Sequence, residues 1–296
     1  MFAPQTLLLA TDFTPSSAAA AQTARTLAER WGSRLEVVYC IEQLAGYSNL
    51  RIQGQEAPPY LSLLVGEGRD LLNAFVREHF PGMPESQQHL RVGRPAEEIL
   101  RAAQESQAGL IVMGTTAESG LDRVMRGSVA EAVITRAPVP VLSLTQPLAL
   151  GPDDSVLVAI DFSQTATLAL GLAGALAATF GVTLDLLSVL EPPKTLALWP
   201  LAPVEDQRQV EQRVRSQLQM LAQTELPTGV RYHTHVRVAR LAEGVREAAE
   251  ENHSAMVVMG TQGHNGIAEW LLGGGAQKVL RTCARPLLTV RGTETG

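Results

Sequence analysis

Two aspartates stand where an acidic side chain can hold a sugar hydroxyl. Asp12 closes the apolar run Leu7-Leu8-Leu9-Ala10-Thr11, and Asp161 closes Leu157-Val158-Ala159-Ile160; each comes just before a helix start. Further along, each half of the chain places glycines after another apolar run. The first half reads Gly114-Thr115-Thr116-Ala117-Glu118-Ser119-Gly120, then Gly127-Ser128. The second reads Gly260-Thr261-Gln262-Gly263-His264-Asn265-Gly266, then Gly273-Gly274-Gly275. Glycine lets backbone N–H groups approach a phosphate, and the start of a following helix adds a favourable dipole. A carboxylate for a ribose and glycines for phosphates point together to an anionic nucleotide. Glycine alone after a strand more often just makes a turn. The candidate nucleotide-binding set is Asp12, Cys40, Gly114, Gly127 and Ser128 in the first half. In the second it is Asp161, Val189, Gly260, Gly263, Gly273 and Gly274. No residue is assigned a catalytic or metal-binding role.

The elements that must hold these residues recur. The two aspartates lie 149 residues apart (161 − 12), and the echo of Ile111-Val112-Met113-Gly114-Thr115 as Val257-Val258-Met259-Gly260-Thr261 lies at 146 (260 − 114). Two echoes at nearly one offset mean duplicated domains, 1–146 and 155–296, and a period this long excludes a solenoid. In the first half, strands are expected at Thr6 to Thr11, Leu35 to Ile41, Leu90 to Val92, Leu110 to Met113 and Val139 to Leu144. Helices are expected from Thr14-Pro15 to Gly32, with the face Ala24, Leu27, Ala28 and Trp31, then at Tyr60 to His79, Pro95 to Ser106 and Ser119 to Thr135. The second half repeats this, with strands at Val156 to Ile160, Leu184 to Leu190, Tyr232 to Val238, Met256 to Met259 and Leu287 to Val290. Its helices fall near Gln164 to Phe180, Val204 to Glu225, Leu241 to Asn252 and Ile267 to Thr282. Gln146 to Asp154 reads as a linker. Strand and helix alternate throughout, and the strands are continuous apolar runs, which implies open, doubly wound parallel sheets of α/β class. In such sheets ligands collect beyond the carboxyl ends of the strands, where the strand order reverses.

Composition narrows the function classes. The chain has 296 residues, 45% hydrophobic and 18% charged, the balance of a globular protein with room for two cores. A net charge of −6 argues against a nucleic-acid or anionic-membrane partner, though not against a phosphate ligand that needs only local donors. The two cysteines, Cys40 and Cys283, give neither a metal spacing nor a disulfide framework. No cationic start with a long apolar stretch follows the N-terminus, so the expected location is the cytoplasm.

The aspartate after strand one, the strand ending Val-Met-Gly-Thr, the spacing Gly-x2-Gly-x9-Gly-Ser/Thr and a terminal Pro-Val-Leu strand resemble the universal stress proteins. The resemblance covers nearly the whole chain, twice. It implies a flavodoxin-like sheet ordered 3-2-1-4-5, ATP at the glycine motif in some members, and domains paired through their last strands about a pseudo-two-fold axis. It also implies a role in stress survival rather than a defined turnover reaction. The ligand expected is an adenine nucleotide, ATP with or without Mg; domains pair within the chain, and a homodimer is a further arrangement to test.

Both halves depart from the motif. In the first, Ala117 stands at the second glycine, and a methyl at a left-handed position costs roughly 1 kcal/mol or more. In the second, Gly274 replaces the hydroxyl residue, removing a hydrogen bond worth roughly 0.5–1.5 kcal/mol, or up to about 3 to a charged group. Arg123 and Arg126 add positive charge to the first loop, where the second has Glu269 and Leu272. The glycine framework favours the second half. Other features read more plainly. His233 and His235, with Arg231 and Arg237, alternate onto one strand face; they could hold a metal, but no third ligand accompanies them, and a solvated outer face is the expectation. His264 is either a phosphate contact or a solvated loop residue. The connections Glu42 to Pro59 and Glu191 to Pro203 are either lids, for which they are long enough, or plain flexible connections. Three functions follow: an ATP-sensing regulator, a nucleotide-free interaction module of the same fold, or a slow ATPase. No Walker lysine motif and no acid–base pair supports the last, so an enzyme is not expected.

Overall fold

Leu7, Leu8 and Leu9 are completely buried in the computed structural model, which describes residues 3–42, 59–115, 127–192, 204–261 and 274–292. They form the centre of strand β1 (Thr6–Thr11), whose six residues are all buried. Each such leucine contributes about 1.5–3 kcal/mol on leaving water, which is why a run apolar on both sides belongs inside a sheet covered on both faces. In the first unit β1 lies parallel between β2 (Arg34–Glu42) and β4 (Leu110–Gly114), with β3 (Gln88–Gly93) outside β2 and β5 (Val141–Leu144) outside β4. The order is 3-2-1-4-5. Helices α1 (Pro15–Trp31), α2 (Pro59–His79), α3 (Pro95–Glu105) and α4 (Ser128–Arg136) connect the strands.

The second unit repeats the order. Strand β6 (Ser155–Ala159) lies between β7 (Thr183–Leu190) and β9 (Met256–Gly260), with β8 (Tyr232–Val238) outside β7 and β10 (Leu287–Val290) outside β9, all parallel. Its helices are α5 (Gln164–Phe180), α6 (Val204–Glu225), α7 (Leu241–Glu251) and α8 (Gly274–Thr282).

Local chemistry sets the helix limits. The Thr14 hydroxyl accepts from the Ser17 N–H, Pro15 occupies the first turn, and α1 stops at Gly32, whose φ of 67° suits glycine. Ser163 and Gly181 do the same for α5. The face of Ala24, Leu27 and Ala28 is buried as its spacing requires, and Trp31 at the helix end is half-buried. The outer strand β3 runs longer than its apolar centre because pairing with β2 carries the polar Gln88 and His89 into the sheet. The helices expected from Ser119 and Ile267 are seen from Ser128 and Gly274 onward; their earlier parts, and residues 43–58 and 193–203, lie outside the described residues.

Each unit also buries a carboxylate under its outer strand. Glu36 on β2 is 5% exposed, and its two oxygens meet Arg34 Nη2 at 2.9 Å and His89 Nε2 at 2.7 Å. Asp185 on β7 is 4% exposed and meets His235 Nε2 at 2.9 Å. A buried charge must be paired, and these pairs tie β3 to β2 and β8 to β7. His235 is therefore partly buried and bonded to Asp185 rather than simply solvated. Arg237 is held by Glu247 and Glu251, and Arg231 donates to the backbone oxygens of Pro152 and Gly181, leaving His233 exposed on this face. Among the described residues no group of three metal-ligating side chains forms.

Candidate functional site

In each unit the strand order reverses beside the first strand, so the crevice lies beyond the carboxyl ends of β1 and β4, or of β6 and β9. Asp12 follows β1 directly. Its Oδ1 accepts from Ser17 Oγ at 2.5 Å, Thr14 Oγ1 at 2.6 Å and the Thr14 N–H at 3.2 Å. Burial pushes this carboxyl up, but the bonds from Ser17 and Thr14 outweigh it and hold it below the ordinary aspartate value. Asp161 repeats the arrangement with fewer donors, Ser163 Oγ at 2.5 Å and the Ser163 N–H at 3.0 Å.

Gly114 ends β4 against the same helix start. A Cβ there would lie 2.5 Å from Ser16 C and Ser17 N, so glycine is required by the helix backbone itself. Gly260 faces Thr165 in the same way, with Thr165 Oγ1 at 2.6 Å from such a Cβ, and Thr165 bonds Ser163 Oγ at 2.9 Å. The structure thus brings Asp12 and Gly114 together through Ser17, and Asp161 and Gly260 together through Thr165 and Ser163. Gly127 caps α4 without a side-chain hydrogen bond, and Ser128 opens the helix exposed. Helix-start N–H groups of this kind suit an anion. The Thr115 hydroxyl, just past β4, is buried and without a partner among the described residues. Gly274 begins α8 in open space, with nothing within 4 Å of where a Cβ would stand among the described residues, so packing there does not demand a glycine. Ala117, Arg123, Arg126, Gly263, His264, Glu269, Leu272 and Gly273 lie outside the described residues.

Cys40 and Val189 end the second strands and show how the halves differ. Cys40 is half-buried, its thiol directed to the Gly93 oxygen at 3.8 Å. Nearby, Glu98 is 8% exposed, lies against Gly93 and pairs with Arg101 at 3.0 Å. In the second half the matching pair is apolar: Val189 Cγ2 would be 3.0 Å from a Cβ on Gly244. Burial first, then the charge of Glu98, pushes the Cys40 thiol up to about 11 despite the Gly93 bond. At neutral pH it is a thiol, not a thiolate. Peptide-mapped alkylation should find Cys40 roughly a hundredfold slower than an ordinary cysteine near pH 7, quickening as pH approaches 11. Rapid labelling at pH 7 would contradict this burial.

Sequence reasoning missed Ser17, Thr14, Glu98 and Phe13 as neighbours of the site. A side-by-side reading of the halves could have found some of them, since Phe13 and Phe162 share the 149-residue offset of the aspartates.

Each half is similar to known proteins. The model of the universal stress protein family matches residues 4–144 and again residues 154–291. A universal stress protein of Methanocaldococcus jannaschii is 31% identical over 141 residues, 48% of this chain and 82% of that protein. One from Thermus aquaticus is 32% identical over 140 residues, 47% of this chain and 96% of that protein. The crystal structure of a universal stress protein from Archaeoglobus fulgidus shares the fold at a TM-score of 0.68 and 21% identity, covering 98% of this chain and 97% of that one.

Proposed function

The chain belongs to the universal stress protein family and carries two of its domains in tandem, and from that premise we propose that it is a cytoplasmic stress-response regulator that binds ATP in at least one half. Occupancy rather than turnover is the signal, passed on through the arrangement of domains or partners. The observation that carries this reading is the twofold assembly of a carboxylate, a close-packed glycine and a helix start beyond strands one and four of each unit. The carboxylate can accept a ribose hydroxyl, and the N–H groups at the start of α4 or α8 can meet phosphates, with or without Mg.

The second half suits the nucleotide better. Its glycine framework includes Gly263 where the first half has Ala117. Its strand end is neutral and apolar at Val189 and Gly244, where the first half keeps the buried carboxylate of Glu98 beside Cys40. A carboxylate near a phosphate-bearing ligand opposes it, and an apolar wall suits a base.

Mass spectrometry of ligand released from the purified protein, with thermal scans in ATP, tests the reading. ATP at about 100 times its Kd stabilises the bound state by roughly 2.7 kcal/mol. Scans unmoved by saturating adenine nucleotide, with none copurifying, would leave an interaction module of the same fold. Titration calorimetry then ranks the halves. Gly263→Val should weaken ATP binding strongly by placing a branched side chain where backbone meets phosphate, and Ala117→Gly should create or improve a first-half site. Intact affinity in Gly263→Val together with its loss in Asp12→Ala would reverse the ranking.

A further inference from the structure

The residue after each aspartate has an unusual backbone. Phe13 and Phe162 both sit at φ 62°, in the left-handed region that a bulky L-residue rarely enters. Among the described residues, the other non-glycines with positive φ are Gln107 and His253, at 52° and 50°. Those two follow the ends of α3 and α7, where a left-handed residue commonly closes a helix. Phe13 and Phe162 close no helix. Each lies between a strand and a helix start, where nothing but the turn itself calls for that conformation.

What the turn achieves is the same in both halves. It brings the N–H and the hydroxyl of the next residue, Thr14 or Ser163, onto one oxygen of the preceding aspartate. Every such bond goes to Oδ1, and among the described residues neither Oδ2 takes one. Ring packing is not the shared element. Phe13 lies against Tyr39 and Phe75, with ring centroids 4.4 and 5.6 Å away, whereas Phe162 has no aromatic partner among the described residues. The left-handed backbone and the oriented carboxylate recur; the surroundings of the ring do not. Strain that persists at one position in two diverged copies marks a functional constraint.

We propose that Phe13 and Phe162 are positioning residues, whose left-handed backbone fixes the Asp12 and Asp161 carboxylates so that Oδ2 stays available to a hydroxyl or amine donor of the bound nucleotide. This rests on the reading of those aspartates as nucleotide contacts. Glycine enters the left-handed region freely, asparagine tolerates it, and a β-branched residue resists it most. Phe13→Gly and Phe162→Gly therefore keep the turn, and Phe13→Val and Phe162→Val break it.

Two measurements on the full chain decide the matter. The first, independent of any ligand, is a carboxyl carbon-13 NMR titration of Asp12. The low titration of the native protein is retained in Phe13→Gly and rises to the ordinary aspartate value in Phe13→Val. Tyr39, which interacts electrostatically with Asp12, is pushed up by burial and stays protonated through that range. The second is calorimetric affinity for ATP. Phe162→Val weakens it about tenfold, the loss of one hydrogen bond to a charged group, while Phe162→Gly, which keeps the left-handed turn, recovers most of that loss. If Phe13→Val fails to fold, Phe13→Asn against Phe13→Ala makes the same comparison, with asparagine keeping the low titration. Valine and glycine variants that titrate alike and bind alike would overturn the proposal. A native protein that binds no ATP would defeat the nucleotide reading instead, and the Asp12 titration would still decide the positioning role.

Discussion

Gly114→Ala is expected to destabilise the first domain by about 3 kcal/mol, near the upper end of what added core atoms usually cost. The new Cβ would lie 2.5 Å from Ser16 C and Ser17 N and 2.7 Å from Ser16 O. All three are backbone atoms in the first turn of α1, and none can rotate aside. Strand and helix must move apart, breaking the contact that carries Ser17 Oγ to Asp12. The matching change Gly260→Ala meets Thr165 Oγ1 at 2.6 Å and Thr165 Cβ at 3.0 Å, so a side chain takes up part of the conflict. It should cost about 1–2 kcal/mol. Differential scanning calorimetry checks the pair: Gly114→Ala should lower its domain's Tm by roughly 10 °C and Gly260→Ala by about half that. Equal shifts would mean that the two helix starts yield alike, against the difference in what each Cβ meets.

His235→Ala is the second large effect. It leaves Asp185 buried with its hydrogen-bond partner gone, and orphaning a buried polar group costs about 1–3 kcal/mol, more where the group is charged. His235 is about one-third exposed, so water relieves part of this, and about 2–3 kcal/mol is expected. His89→Ala should cost about 1 kcal/mol, because Arg34 stays 2.9 Å from Glu36. Denaturant unfolding of the two variants measures the difference. Replacing both partners, as in Asp185→Leu with His235→Leu, should recover most of the loss, since an apolar pair needs no counter-charge. If the two histidine variants lose the same stability, Arg34 does not do what its position suggests.

The parallel sheets were legible because the signals for them are local. Runs such as Leu7-Leu8-Leu9 declare a strand covered on both faces, and Thr14, Pro15 and Gly32 mark the limits of a helix within a few residues. The aspartates could be placed at the crevice for the same reason, since each lies within two residues of a strand end. What stayed hidden depends on which strands become neighbours. Glu36 within Leu35-Glu36-Val37-Val38 reads as an outward polar residue, and only the pairing of β2 with β3 shows that His89 stands by it, 53 residues away. Gly114 was read for a phosphate, and the helix it touches lies about a hundred residues earlier in the chain, beyond the reach of any motif. The backbone angle of Phe13 has no signature in residue type at all, because phenylalanine is among the residues least suited to it.

The carboxylate under β8 also decides what the end of its sheet will accept. An outer strand is the place where a stray segment, from an unfolding neighbour or a nascent chain, can add itself by backbone hydrogen bonds alone. Should β8 come away, β7 would present Asp185 to the newcomer. A segment without a basic side chain at the diagonal position of His235 would then seal in an unpaired charge, and a slip of one residue would turn its histidine to the opposite face. The end of the second unit's sheet is thus guarded by a buried carboxyl that a strand of the right composition and register satisfies, whereas Glu36 in the first unit keeps Arg34 of its own strand when β3 leaves.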